Sequence, residues 1–289
     1  MEGIVVKGIG GFYYVKAEGR IYQCKARGIF KKDGIKVAVG DLVEIQLNEG
    51  SDALITEIRE RKNSFIRPPI VNVDCLVIVF AAAHPEPNFS VIDKFLVMAE
   101  KSSTDIIICA NKVDLAEEAR IDELKNIYDP IYPLIFLSGK TGEGISRLKE
   151  LLKGKKCALA GPSGVGKSTI LNALEPEISA ETGDISEKTK RGKHTTRHVE
   201  IFDTAFGAMI FDTPGFTSFE VLEANEEELA HFYPEMQEYL GKCRYDNCRH
   251  IKEPECSVRE AVSEGRISRS RYRSYVEQIK EIREKNKKW

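Results

Sequence analysis

No stretch of the 289 residues approaches the roughly 18 consecutive apolar residues that a membrane-spanning helix needs, and the first residues lack the basic-then-apolar pattern of a secretory signal. These absences point to a soluble, cytoplasmic protein with no membrane partner. Net charge is nearly absent as well: 43 basic against 45 acidic residues leave a formal −2, so any nucleic-acid partner must be met by a local patch. Seven cysteines are an odd number and cannot pair completely. Cys24, Cys75, Cys109 and Cys157 lie in apolar strand-like runs and read as core thiols. What is present is an apolar content of 42%, normal for globular cores, and a length suited to about two domains.

The strongest local signal is Gly161-Pro162-Ser163-Gly164-Val165-Gly166-Lys167-Ser168-Thr169, which follows the apolar run Cys157 to Ala160 and precedes a helical pattern. The G-x-x-x-x-G-K-S spacing between strand and helix is that of a phosphate loop. Its glycines let successive backbone N–H groups turn onto an anion, and the helix start adds a positive dipole end. Lys167 is placed to reach the terminal phosphates and Ser168 to ligate magnesium.

Asn111-Lys112-Val113-Asp114 follows another strand-like run and resembles the guanine-reading N-K-x-D string of GTPases. The Asp114 carboxylate can accept both the ring N–H and the exocyclic amino protons of guanine, whereas adenine would leave it unpaired. Asn111 and Lys112 would brace the loop and cover the base. Ser138-Gly139-Lys140 resembles the companion S-A-K loop, with glycine in place of the usual alanine. After the phosphate loop, the polar stretch Glu181 to Lys193 is expected to be mobile. His194-Thr195-Thr196 then resembles switch I, in which Thr195 or Thr196 joins the magnesium shell. Arg197 to Phe202 and Gly207 to Phe211 read as a hairpin that delivers Asp212-Thr213-Pro214-Gly215, a D-x-x-G motif. Asp212 would hold magnesium through water, and the Gly215 N–H would sense the γ-phosphate.

The guanine-reading loops precede the phosphate loop, the reverse of ordinary GTPases, so the domain is circularly permuted. Strands alternating with helices from Val73 onward predict a parallel α/β sheet. Before it, five short strand-like runs separated by Gly10-Gly11, Glu18-Gly19, Gly40-Asp41 and Asn48-Glu49-Gly50 suggest a small barrel of the OB-fold kind. Lys7, Lys16, Arg20, Lys25, Arg27, Lys31 and Lys32, interleaved with Tyr13, Tyr14 and Tyr22, suit either an RNA groove or a solvated strand face with the rings in the core. Arg59-Glu60-Arg61-Lys62, before Pro68-Pro69, reads as a linker. The expected division is a barrel over 1–64, the permuted domain over 65–222 and a C-terminal domain over 223–289.

Cys243, Cys248, His250 and Cys256 show the spacing C-x4-C-x-H-x5-C. Three thiolates and one imidazole match a closed tetrahedral zinc site, structural because no coordination position is left open. Helical pattern precedes it over Glu226 to Leu240, with a break at Pro234, and follows it over Val258 to Lys288. Arg266, Arg269, Arg271, Arg273, Lys280, Arg283, Lys285, Lys287 and Lys288 read either as a solvated helix face or, preferably, as an RNA-contacting surface.

Barrel, permuted motifs G-P-S-G-V-G-K-S and D-T-P-G-F, and this zinc spacing occur together in one order. The whole chain thus resembles the RsgA/YjeQ family of bacterial GTPases dependent on the small ribosomal subunit. The resemblance implies an OB-fold, a permuted G domain and a zinc-finger domain. It also implies GTP and GDP as ligands, binding to the small subunit and its rRNA late in maturation, and hydrolysis stimulated by that subunit. A monomer is expected. Phe216 occupies the position where Ras-like proteins carry a water-orienting glutamine, so slow hydrolysis by the free protein is expected. His194 is either the group that positions water or a surface or RNA-contacting histidine. The alternatives are a nucleotide-gated RNA-binding module and a GTPase switch acting on a non-ribosomal partner.

Overall fold

Short runs of apolar and β-branched residues between turns form five strands in the first 58 residues of the computed structural model, which describes residues 1–32, 34–47, 53–176, 199–213 and 224–287. These are β1 (Glu2–Ile9), β2 (Phe12–Ala17), β3 (Arg20–Ala26), β4 (Leu42–Leu47) and β5 (Ala53–Ile58). They run in the order β1-β2-β3-β5-β4, and β4 returns to β1, closing the expected OB-type barrel. Its core holds Val5, Val15, Cys24, Val43, Ile45 and Ile55. A Cβ at Gly3 would lie 2.6 Å from Val15 Cγ1 and 2.7 Å from the Lys16 carbonyl oxygen, so glycine is what lets β1 cross β2 closely.

The expected linker is pinned to the barrel. Arg59 donates to Glu2, Glu44 and Glu57, and Arg61 grips the buried Asp41 at 2.7 Å. A two-stranded ribbon follows, β6 (Ser64–Phe65) with β7 (Ile70–Val71). The compact unit containing the barrel also includes residues 148–159 and 171–216. Within it β11 (Lys156–Ala160) runs parallel to β13 (Met209–Asp212), and β12 (Glu200–Asp203) forms the expected hairpin with β13.

The second unit comprises residues 77–147, 160–170 and 217–289. Its strands follow the order β10 (Leu134–Leu137), β9 (Asp105–Asn111), β8 (Cys75–Ala81), with β10 parallel to β9. Every residue of β8 is buried, as a strand covered on both faces requires. Helix α2 (Phe89–Lys101) turns Ile92, Phe95, Leu96 and Ala99 inward, and Asn88 caps it through a hydrogen bond from the Val91 N–H. Next come α3 (Glu118–Tyr128), α4 (Ile145–Leu152) and α5 (Lys167–Leu174), after the short α1 (Gly28–Lys32) of the barrel. The C-terminal region is more broken than its pattern suggests. Pro234 opens a separate turn, α6 (Pro234–Gln237), and Gly265, with φ of +77°, separates α7 (Ser257–Ser263) from α8 (Arg269–Asn286). The four strand cysteines are buried thiols, as expected.

Candidate nucleotide and metal sites

β11 ends at Ala160, and the phosphate loop then needs conformations open to glycine. Gly161, Gly164 and Gly166 have φ of +147°, +78° and +95°. A Cβ on Gly161 would lie 2.0 Å from the Val79 carbonyl oxygen, and one on Gly166 would lie 2.3 Å from Asn111 Nδ2. The second contact ties the two motifs together. Asn111, at the buried end of β9, donates from Nδ2 to the Val165 carbonyl at 2.8 Å, and its Oδ1 accepts from the Gly139 N–H at 3.0 Å. One amide therefore fastens the phosphate loop to the Ser138-Gly139-Lys140 loop. Lys112, held in a left-handed conformation, donates to the carbonyls of Gly164 and His84 at 2.8 and 2.6 Å.

Val113 and Asp114 lie on a 3-10 turn, and the Asp114 carboxylate is exposed. Ser138 is buried, and its Oγ accepts from the Thr141 N–H. A Cβ at Gly139 would come 3.1 Å from the Ile170 nitrogen, which accounts for glycine where related loops carry alanine. Lys140 is exposed, as are Ser163, Ser168 and Thr169, while Pro162 is half-buried. Lys167 Nζ donates to the Gly161 and Pro162 carbonyls at 2.6 and 2.8 Å, and burial lowers its pKa to about 8. Asp212 ends β13, with Glu200 as its register partner. His194, Thr195, Thr196, Gly215, Phe216 and the stretch from Glu181 to Lys193 lie outside the described residues. Sequence reasoning missed the carbonyls of Val79 and His84, which no side-chain pattern reveals.

The ligand atoms of Cys243, Cys248, His250 and Cys256 all lie within 4.8 Å of one another, and this cluster could hold a metal ion. Cys243 Sγ and Cys256 Sγ are 3.8 Å apart, and His250 Nδ1 lies 3.5 and 3.4 Å from them. A tetrahedron with metal–sulfur bonds of about 2.3 Å and a metal–nitrogen bond of about 2.0 Å has edges of about 3.8 and 3.5 Å. The residues therefore fit a tetrahedral ion, with Nδ1 as the imidazole donor. Burial lowers the His250 pKa and favours the neutral, metal-binding form. The His250 carbonyl accepts from Tyr272 OH at 2.7 Å, and Ser257 Oγ lies 3.2 Å from Cys243 Sγ.

One expectation for the C-terminal basic residues fails. Arg271 is not on a nucleic-acid surface: it is completely buried, paired with Asp93 and Glu235.

A glycine phosphate loop braced by a guanine-type loop that precedes it in the chain defines a circularly permuted P-loop GTPase. Family models described as RsgA GTPase and RsgA N-terminal domain match residues 58–222 and 2–55. The chain belongs to the RsgA GTPase family. The Small ribosomal subunit biogenesis GTPase RsgA of Agathobacter rectalis is 46% identical over 99% of this chain and 100% of its own length. Its counterpart in Caldanaerobacter subterraneus subsp. tengcongensis is 45% identical, over 100% and 98%. The crystal structure of YjeQ from Thermotoga maritima matches with a TM-score of 0.86 at 38% identity, covering 97% of this chain and 98% of that one. That of YloQ, described as a circularly permuted GTPase, matches at 0.83 and 37%, covering 98% and 95%. No helix among the described residues is long and apolar enough to cross a membrane.

Proposed function

We propose that this GTPase binds the small ribosomal subunit and its rRNA and acts as a GTP-gated switch in late maturation, with hydrolysis stimulated by the subunit. The observation that carries the reading is the Asn111 bridge, which couples the guanine-type loop to the phosphate loop. The names of the full-length relatives supply the partner. The barrel (1–64), permuted domain (65–222) and C-terminal domain (223–289) act as three modules of a cytoplasmic monomer.

In this reading Asp114 selects guanine, with the backbone of Ser138 to Lys140 meeting the base carbonyl. Gly161 to Thr169 wrap the phosphates, and Lys167 neutralises charge on the terminal ones. Ser168, Asp212 and Thr195 or Thr196 would hold Mg²⁺, which supplies charge stabilisation as the γ-phosphate leaves. His194 positions the attacking water and Gly215 senses the γ-phosphate. The Cys243, Cys248, His250, Cys256 cluster takes one structural zinc ion.

The decisive experiment compares GTP turnover by the purified protein with and without purified small subunits. Strong acceleration is expected. Equal rates, together with equal sedimentation with the subunit in GDP and in a non-hydrolysable GTP analogue, would sink the switch.

A further inference from the structure

β1 changes partners midway. Its first half pairs with β4, from Glu2↔Glu44 to Ile4↔Leu42, and closes the barrel; its second half meets β12 at Lys7↔Glu200. A register shift between Val5 and Lys7 in the β1–β2 ladder marks the change, a bulge of the kind that re-aims side chains. Two ion pairs reinforce the junction. Lys7 Nζ lies 2.5 Å from Glu200 Oε2, and Lys16 Nζ, on β2, lies 2.6 Å from Asp203 Oδ2.

Both carboxylates belong to β12, and the hairpin partner of β12 ends on Asp212. Lys7 and Lys16 therefore hold the strand that leads to a predicted magnesium ligand, although their sequence setting reads as a nucleic-acid groove. All four side chains are partly exposed, from 28% for Glu200 to 56% for Asp203. Such pairs are individually weak. A phosphodiester backbone presents several anionic oxygens at once and gains from counterion release, so it can displace a lone carboxylate from each lysine.

We propose that Lys7 and Lys16 form a charge-exchange latch. In the free protein they tie the β12–β13 hairpin to the barrel and restrain turnover; RNA phosphates bound to the barrel take over both lysines and release the hairpin. The RNA partner rests on the small-subunit reading above.

Glu200→Gln with Asp203→Asn opens the latch while leaving both lysines for RNA. Subunit-free GTP turnover is expected to rise about threefold to tenfold, and a short oligouridylate to bind tighter by a similar factor, the scale of two exposed ion pairs. Lys7→Glu alone should also raise turnover, and adding Glu200→Lys should bring it back to the wild-type rate by remaking the pair with reversed polarity. A merely structural role would not show that recovery. Unchanged turnover in the first variant, or no recovery in the reversed pair, overturns the latch. None of these measurements uses the subunit, so failure of wild-type stimulation would count against the proposed function separately.

Discussion

Arg271 and Asp93, 178 positions apart in the chain, meet in a 2.6 Å ion pair in which neither side chain reaches solvent. Glu235 adds a second carboxylate at 2.7 Å, and the guanidinium carbon lies 4.6 Å from the centre of the Tyr233 ring. Burial opposes the arginine's charge, but Asp93 and Glu235 outweigh it and hold its pKa well above the ordinary value. The group bolts α8 and α6 of the C-terminal region onto α2. Arg271→Leu would leave two carboxylates without their countercharge, and a loss of about 3–5 kcal/mol in chemical denaturation is expected. Arg271→Lys should recover only part of it, because an ammonium cannot reproduce the fork that serves both acids. A loss below about 1 kcal/mol for Arg271→Leu would show that the bolt does not stabilise the fold.

The barrel strands and the hairpin are legible because alternation and Gly turns are local signals. The phosphate loop is legible because its chemistry is backbone chemistry at fixed spacing. Arg271 is misread for the opposite reason. Its charge suggests surface, while its true signal is that Tyr275 and Ile279 follow it at four-residue steps on one buried helix face. Lys7 and Lys16 look available in sequence because their carboxylate partners lie nearly two hundred residues away. The break at Pro234 is legible because proline removes a donor, whereas the single helix expected over Val258 to Lys288 is interrupted at Gly265, where local stereochemistry overrides amphipathic period.

Asp114 gives a prediction about the base. Its carboxylate is exposed on the 3-10 turn after β9, where it can accept two hydrogens from guanine. Asp114→Asn replaces one acceptor with a donor. GTP affinity is expected to fall on the order of 100-fold, two charge-assisted hydrogen bonds being worth roughly 3 kcal/mol. Xanthosine triphosphate, with a carbonyl where guanine has its amino group, should bind the variant better than GTP does. Nucleotide competition titrations check both, and an unaltered base preference would remove Asp114 from the site.

Lys167 sets a pH dependence. Burial lowers its pKa to about 8, so the free site loses the ammonium proton as pH rises through that value. Neighbouring phosphates favour the ammonium, so above about pH 8 nucleotide binding must take up a proton. Affinity should fall by up to about tenfold per pH unit between roughly pH 8 and 9, and be nearly flat below pH 7. Lys167→Gln should bind weakly with no such slope. Calorimetry in buffers of different ionisation enthalpy measures the proton uptake directly, and none at pH 9 would contradict the assignment.

Metal removal tests the Cys243, Cys248, His250, Cys256 cluster. Cys248 and Cys256 belong to the same buried core as Tyr233, Tyr275 and Ile279, so the ligands are also packing residues. Cys256→Ser, or a strong chelator, should take zinc content from about one ion per chain to none. Proteolytic cuts within residues 224–287 should appear together with loss of the tyrosine near-ultraviolet dichroism. Retained zinc in the Cys256→Ser variant would exclude that thiolate as a ligand.

Gly164 and Gly166 separate strain from disconnection. Both have left-handed φ, +78° and +95°, so alanine at either costs about 1–2 kcal/mol of backbone strain. The surroundings differ. A Cβ on Gly164 meets nothing within 4 Å, whereas one on Gly166 would sit 2.3 Å from Asn111 Nδ2. Asn111 is buried and engaged at both ends of its amide, so it cannot move aside without releasing Val165, Gly139 or both. Gly166→Ala should therefore weaken GTP binding at least about tenfold more than Gly164→Ala, the cost of an orphaned buried amide. It should also blunt the preference for GTP over ATP, because the loop that presents Asp114 loses its anchor, while Gly164→Ala keeps that preference intact. Equal effects of the two variants on both affinity and base preference would mean that the Asn111 bridge does not couple the two loops.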